Sequence, residues 1–149
     1  MKNLRSRNIG RESSILKMMT FETFAKSGYL AYTLSASSRN DLLHHFKPKY
    51  PEVICQHITY KFPAKSTDEL PPAVHEARVI GYEDSGDGIE AVVVEINGSN
   101  KRPDGKLLHI TLSLDRAKGK KPVHSNDLVN KKFTHVNPIT IHLTPAFLQ

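Results

Sequence analysis

The chain of 149 residues holds a single cysteine, Cys55. That excludes a disulfide framework and a cysteine-based zinc site, and a reducing cytoplasm is the expected setting. No run of 18 apolar residues occurs, so no membrane-spanning helix is expected. The stretch from Met1 to Lys17 is basic, but it has neither a continuous apolar segment nor a small-residue cleavage site, so a secretory leader is not expected. There is no His-x-x-x-His pair, and His75, His124 and His135 show no metal-ligand spacing. Neither a metal nor another cofactor is therefore expected. Low-complexity tracts are absent too. Hydrophobic residues make up 38% and charged residues 24%, a composition polar for a globular domain but well short of disorder. The length suits one domain, with room for two similar lobes.

Positive charge is present and unevenly placed. The net charge is +6. Residues 98–132 hold nine Lys/Arg against three acids, whereas residues 133–149 carry no charge at all. A local field of this sign favours an anionic partner such as a phosphate ester or RNA, although lysine-rich loops are also commonly just solvated.

Residues 13–26 have the apolar density of a helix, with Gly28 as its stop. Tyr29–Leu34 reads as a strand. Ser38-x-x-Asp41 resembles a capping box opening a short helix that ends before Pro48. Val53–Phe62 reads as a strand and residues 63–76, with three prolines, as a loop. Ala77–Asp84 and Ile89–Ile96 flank Ser85-Gly-Asp-Gly88, a hairpin signal. Leu107–Leu114 is a strand, 115–132 a basic loop with a short helix near Asn126–Val129, and Phe133–Leu143 a last strand. This divides the chain into a basic helical extension, 1–28, and a domain, 29–149.

Two of these strands carry the same polar face. Along Ile54–Phe62, alternation puts Cys55, His57, Thr59 and Lys61 on one side and Ile54, Gln56, Ile58, Tyr60 and Phe62 on the other. Along Leu107–Leu114 it puts His109, Thr111 and Ser113 opposite Leu108, Ile110, Leu112 and Leu114. Two residues of strand span about 6.6–6.8 Å, so each imidazole and hydroxyl point the same way and can reach one bound group. Chance placement would give about one His-x-Ser/Thr tripeptide, whereas three occur, the third being His142-Leu-Thr144. That third face is more in keeping with solvent than with a cleft.

Paired imidazoles and hydroxyls suit phosphodiester cleavage without a metal. A neutral histidine takes a proton from the attacking water or hydroxyl, and a protonated one gives a proton to the leaving oxygen. The hydroxyls donate hydrogen bonds to the non-bridging oxygens as charge develops. Beyond the four motif residues, Lys61 and Ser113 continue the two faces as candidate phosphate contacts. Lys121 and Ser125, in the basic loop, are candidates to close over the phosphate. Tyr29, or alternatively Tyr32, is a candidate to stack a base.

The pair His57-Ile-Thr59 and His109-Ile-Thr111 resembles the hallmark of the 2H phosphoesterase superfamily, which includes cyclic phosphodiesterases and the so-called 2′-5′ RNA ligases. YLAYTL, a short helix and PEVICQHITYKF look like its first lobe, and LLHITLSLDRAKGKKPVHSNDLV resembles its second motif and following loop. The resemblance implies an α+β fold of two pseudo-symmetric antiparallel-sheet lobes facing a central cleft, with few short helices. It implies His57 and His109 as the acid–base pair and Thr59 and Thr111 as phosphate holders. The substrates it implies are nucleotides, RNA ends or cyclic oligonucleotides with a cyclic phosphate or 2′-5′ linkage. Two rivals stand beside this hydrolase reading: a non-catalytic RNA- or nucleotide-binding module of the same fold, and a His-rich metal protein.

Overall fold

The computed structural model describes residues 25–149. The helix expected over 13–26 falls almost wholly outside the described residues, as does most of the expected extension 1–28. The first strand, β1 (Ser27–Leu34), takes in the last two residues of that extension. Helix α1 (Ala36–Phe46) follows at once. Its N-cap is Ser35, whose hydroxyl accepts from the Ser38 N–H at 3.1 Å. The capping box expected at Ser38 is therefore one turn late. Ser38 is instead buried inside the helix, where its Oγ accepts the His142 N–H at 2.8 Å.

The strand expected over 53–62 is two strands in two sheets. β2 (Glu52–Val53) pairs with β6 (His109–Leu114), whereas β3 (His57–Lys65) pairs with β1. The break lies at Cys55, whose φ of +44° is a left-handed backbone that an extended chain cannot carry. The strand expected over 133–143 stops at Thr140, and a further strand that was not expected begins at Leu143. β7 (Thr134–Thr140) pairs with β4 (Ala77–Asp84), and β8 (Leu143–Leu148) pairs with β1. The hairpin of β4 and β5 (Ile89–Ile96) has the bounds its sequence suggested. A single 3-10 turn, Arg116–Lys118, precedes α2 (His124–Lys131), which is longer than the helix expected near 126–129.

The protein is thus α+β, with two antiparallel sheets ordered β3-β1-β8 and β2-β6-β5-β4-β7. One hydrophobic core joins them. Tyr32 and Ile58 from the first sheet meet Val79, Val92, Val94, Ile110 and Leu112 from the second, with Leu42 of α1. The other face of the five-stranded sheet is covered at Ala91 and Val93 by Val129 and Leu128 of α2. A valine, leucine or isoleucine side chain contributes roughly 1.5–3 kcal/mol when fully buried. At the junction between the sheets, the Ile54 and Cys55 N–H groups donate to the Leu112 and Thr111 carbonyls, each at 2.8 Å. This places the start of β3 beside β6. Among the described residues, no helix is long and apolar enough to cross a membrane.

Candidate active site

A pocket of about 450 Å³ draws its lining from both sheets, the β5–β6 loop and the start of α2. His57 and Thr59 come from β3, and His109 and Thr111 from β6. The structure therefore brings all four motif residues to one cavity, although 52 positions separate the two histidines. Tyr29, Ile54, Phe62, Arg102, Asp104, Lys106, Pro122, Val123 and Asn126 complete the wall.

Each imidazole is held differently. His109 is buried, and its Nδ1 meets the Leu107 carbonyl at 3.0 Å. In the neutral ring Nδ1 carries the proton that it donates there, which leaves Nε2 as the basic nitrogen. His57 packs against Tyr29, with ring centroids 5.3 Å apart. Burial pushes the pKa of both histidines below the ordinary value, because the cation loses hydration. For His109 the Leu107 carbonyl opposes that effect, while the positive charges of Arg102 and His57 add to it. The mutual effect of the two rings means that protonating one discourages protonation of the other.

The hydroxyls differ as well. Thr111 Oγ1 lies 2.8 Å from Ser125 Oγ, and both residues are buried. Ser125 is thus behind the pocket wall, fixing Thr111, rather than in the lining. Thr59 lines the pocket and is half-buried.

Lys61 and Ser113, expected to continue the two motif faces, do not line the pocket, and one cause explains both. In β3 the pairing steps from Ala31↔Thr59 to Leu30↔Lys61, so Tyr60 is an extra residue. In β6 it steps from Ala91↔Thr111 to Glu90↔Ser113, so Leu112 is extra. A one-residue bulge reverses the face of everything beyond it. Lys61 turns to the surface, 3.8 Å from Asp68. Ser113 turns into the core, where its hydroxyl donates to Glu90 and accepts the Tyr50 N–H at 3.1 Å. By the same reversal Phe62, expected on the apolar back, stands at the pocket with 65% of its surface exposed.

The remaining candidates separate similarly. Tyr29 lines the pocket. Tyr32 is in the core, its hydroxyl donating to the Pro72 carbonyl at 3.0 Å. Lys121 is outside the lining, its N–H donating to His124 Nδ1 at 3.0 Å. Cys55, expected on the His57 face, is buried in the core because its left-handed backbone interrupts the alternation; Ile54 faces the pocket instead. Burial holds the Cys55 thiol up at about 11. His142 and Thr144 do not line the pocket. Among the described residues, no three His, Cys, Asp or Glu side chains gather as a metal site.

The basic block is not one patch. Arg116 pairs with Glu52 at 2.6 Å and Lys120 with Asp87 at 3.2 Å. Arg102 and Lys106 alone of that block line the pocket. Sequence reasoning missed Arg102, Phe62 and Val123 as wall residues. The Arg-Pro-Asp-Gly turn close before His109 was the available signal for Arg102. For the other two there was none, since Phe62 depends on the bulge and Val123 on the docking of α2. No family model matches the chain, and no curated protein or solved structure matches it.

Proposed function

We propose that this protein is a metal-independent phosphodiesterase. Its substrates would be nucleotides, RNA ends or cyclic oligonucleotides carrying a cyclic phosphate or 2′-5′ linkage. The observation that carries the reading is the convergence of His57, Thr59, His109 and Thr111 on one pocket from two different sheets. The two sheets then act as pseudo-symmetric lobes about a central cleft. In support, each contributes a His-Ile-Thr strand with a single-residue bulge directly after the motif.

In this mechanism the substrate phosphorus sits between the two imidazoles. His109 is the base: Nε2 is its free nitrogen, and Arg102 resists its protonation. It takes a proton from water as the oxygen attacks phosphorus. His57, protonated, gives its proton to the leaving ribose oxygen as the P–O bond breaks, which yields a phosphomonoester and a free hydroxyl. The Thr111–Ser125 bond can form in either direction; in this mechanism Ser125 is its donor, which frees the Thr111 proton for a non-bridging oxygen, and Thr59 does the same from the other side. Phe62 and Val123, both exposed at the pocket, offer apolar surface to the nucleosides on either side of the phosphate. A cytoplasmic location agrees with such substrates and with a free, unreactive Cys55.

The test is a panel of 2′,3′-cyclic nucleotides, 2′-5′ dinucleotides and cyclic oligonucleotides, run in chelator with product analysis. Hydrolysis of at least one class, lost in His57→Ala and His109→Ala, is expected. Salt-sensitive binding without any product would favour the non-catalytic nucleotide-binding module instead.

A further inference from the structure

Resting on that reading and extending it, we propose that the Nε–Nη2 edge of Arg102 is a fork for a phosphate group of the substrate, for which Asp104 is the built-in competitor.

Among the described residues, three arginine–carboxylate pairs with bonded geometry make the contrast. Arg78 engages Glu95 through Nε at 3.1 Å and Nη2 at 2.7 Å. Arg116 engages Glu52 through Nε at 2.6 Å and Nη2 at 3.0 Å. Both are surface side chains, 38% and 54% exposed, and both fill the side-on edge of the guanidinium. Arg102 reverses the pattern. Its side chain is 5% exposed, yet only Nη2 meets a carboxylate, Asp104 Oδ2 at 2.8 Å. Nη1 reaches Asn126 Oδ1 at 3.3 Å. Nε is buried with no acceptor, the one such side-chain atom among the described residues. A buried donor left unpaired is costly, and a guanidinium more so.

The half-filled edge has a local cause. Asp104 is in the turn that Gly105 closes with a φ of +87°, and its Oδ1 accepts the Lys106 N–H at 3.0 Å. One carboxylate oxygen is therefore committed to the turn and only the other reaches Arg102. A phosphate has no such commitment. Two of its oxygens match the parallel Nε–H and Nη2–H donors. Asp104, 43% exposed, can release Nη2 and return to water. The ligand class is a phosphate oxyanion because the same pocket presents two imidazoles, two threonine hydroxyls and Lys106. The hydroxyls carry no permanent charge, so Arg102 is the buried cation that meets the charge accumulating on the phosphate. Its effect in keeping His109 neutral accords with that position.

The probe is inorganic phosphate, titrated calorimetrically at fixed pH and ionic strength into the wild type, Asp104→Asn, Arg102→Lys and the double variant. Asparagine keeps an oxygen for the Lys106 N–H but presents no carboxylate to Arg102. Asp104→Asn is expected to bind phosphate about tenfold more tightly and Arg102→Lys about tenfold more weakly, and the Asp104 change is expected to add nothing in the Arg102→Lys background. Equal gains from Asp104→Asn in both backgrounds would mean a general charge effect and would overturn the proposal. So would wild-type affinity in Arg102→Lys, an Asp104→Asn protein no tighter than wild type, or no phosphate binding to either at millimolar concentration. None of these readouts needs turnover. Phosphate held by Arg102 with no product from any substrate would instead count against the hydrolase reading alone.

Discussion

Thr111 of β6 and Ser125 of α2 share a buried hydrogen bond of 2.8 Å, which ties the strand bearing His109 to the helix that walls the pocket. The motif threonine is thus held from behind, and its hydroxyl orientation depends on a residue outside the motif. Ser125→Ala is expected to lower kcat about tenfold, with KM little changed, since the lost bond orients Thr111 chiefly for the charge of the transition state. Steady-state kinetics separate the two parameters. A change confined to KM would show that Ser125 acts on substrate binding instead.

The two imidazoles form one machine in the proposed mechanism, so their contributions should not add. His57→Ala and His109→Ala are each expected to reduce turnover by about 10²- to 10⁴-fold, and the double variant little further. Near-complete activity in either single variant would exclude two-histidine catalysis.

Stability should fall as pH drops below about 6.5. Both site histidines have folded pKa values depressed from 6.5 by burial. The unfolded chain therefore binds their protons more readily. Their stabilising contribution is complete above the unfolded value and is lost as pH falls through it towards the folded values. The lowered carboxylates Glu52, Asp84 and Asp87 titrate below this window. Urea midpoints at pH 7.5 and 5.5 measure the effect. The wild type is expected to lose more on acidification than a His57→Gln/His109→Gln variant.

Glu90 is fully buried on β5 and accepts from Tyr82 Oη at 2.6 Å, the Lys49 N–H at 2.7 Å and Ser113 Oγ. It ties the segment after α1 to the five-stranded sheet. Glu90→Ala strands three buried or half-buried donors and is expected to cost about 3 kcal/mol, visible as a lowered thermal midpoint. A change below about 0.5 kcal/mol would show that water replaces the carboxylate without penalty.

Phe62 supports nothing in the core and stands exposed beside Tyr29, ring centroids 6.3 Å apart. Phe62→Ala is expected to raise KM for nucleotide substrates several-fold while leaving the unfolding free energy within about 0.5 kcal/mol of wild type. An unfolded variant would assign Phe62 to packing instead.

How much of this was legible beforehand varies with the range of the interaction. The β4–β5 hairpin was readable from its Ser-Gly-Asp-Gly turn and the two segments flanking it, because both strands and their connection are neighbours in the chain. The His-Ile-Thr pairs were readable for a similar reason: a spacing of two sets the face of a strand whatever surrounds it. The readings failed where a neighbour from another part of the chain decided the backbone. Val53–Phe62 looked like one strand because its side chains alternate. Its first residues, however, are captured by β6 and its later ones by β1, and Cys55 takes up the turn between them.

The sequence by itself determined the two histidine–threonine faces and the β4–β5 hairpin, since these follow from residue type and from neighbours in the chain. Only the tertiary structure decided that the faces share a pocket, that a bulge beyond each motif turns Lys61 and Ser113 away, and that Arg102 is buried beside His109. Those outcomes depend on pairing register and sheet packing, which are set by the summed burial of residues far apart in the chain and leave no mark in any short stretch of it.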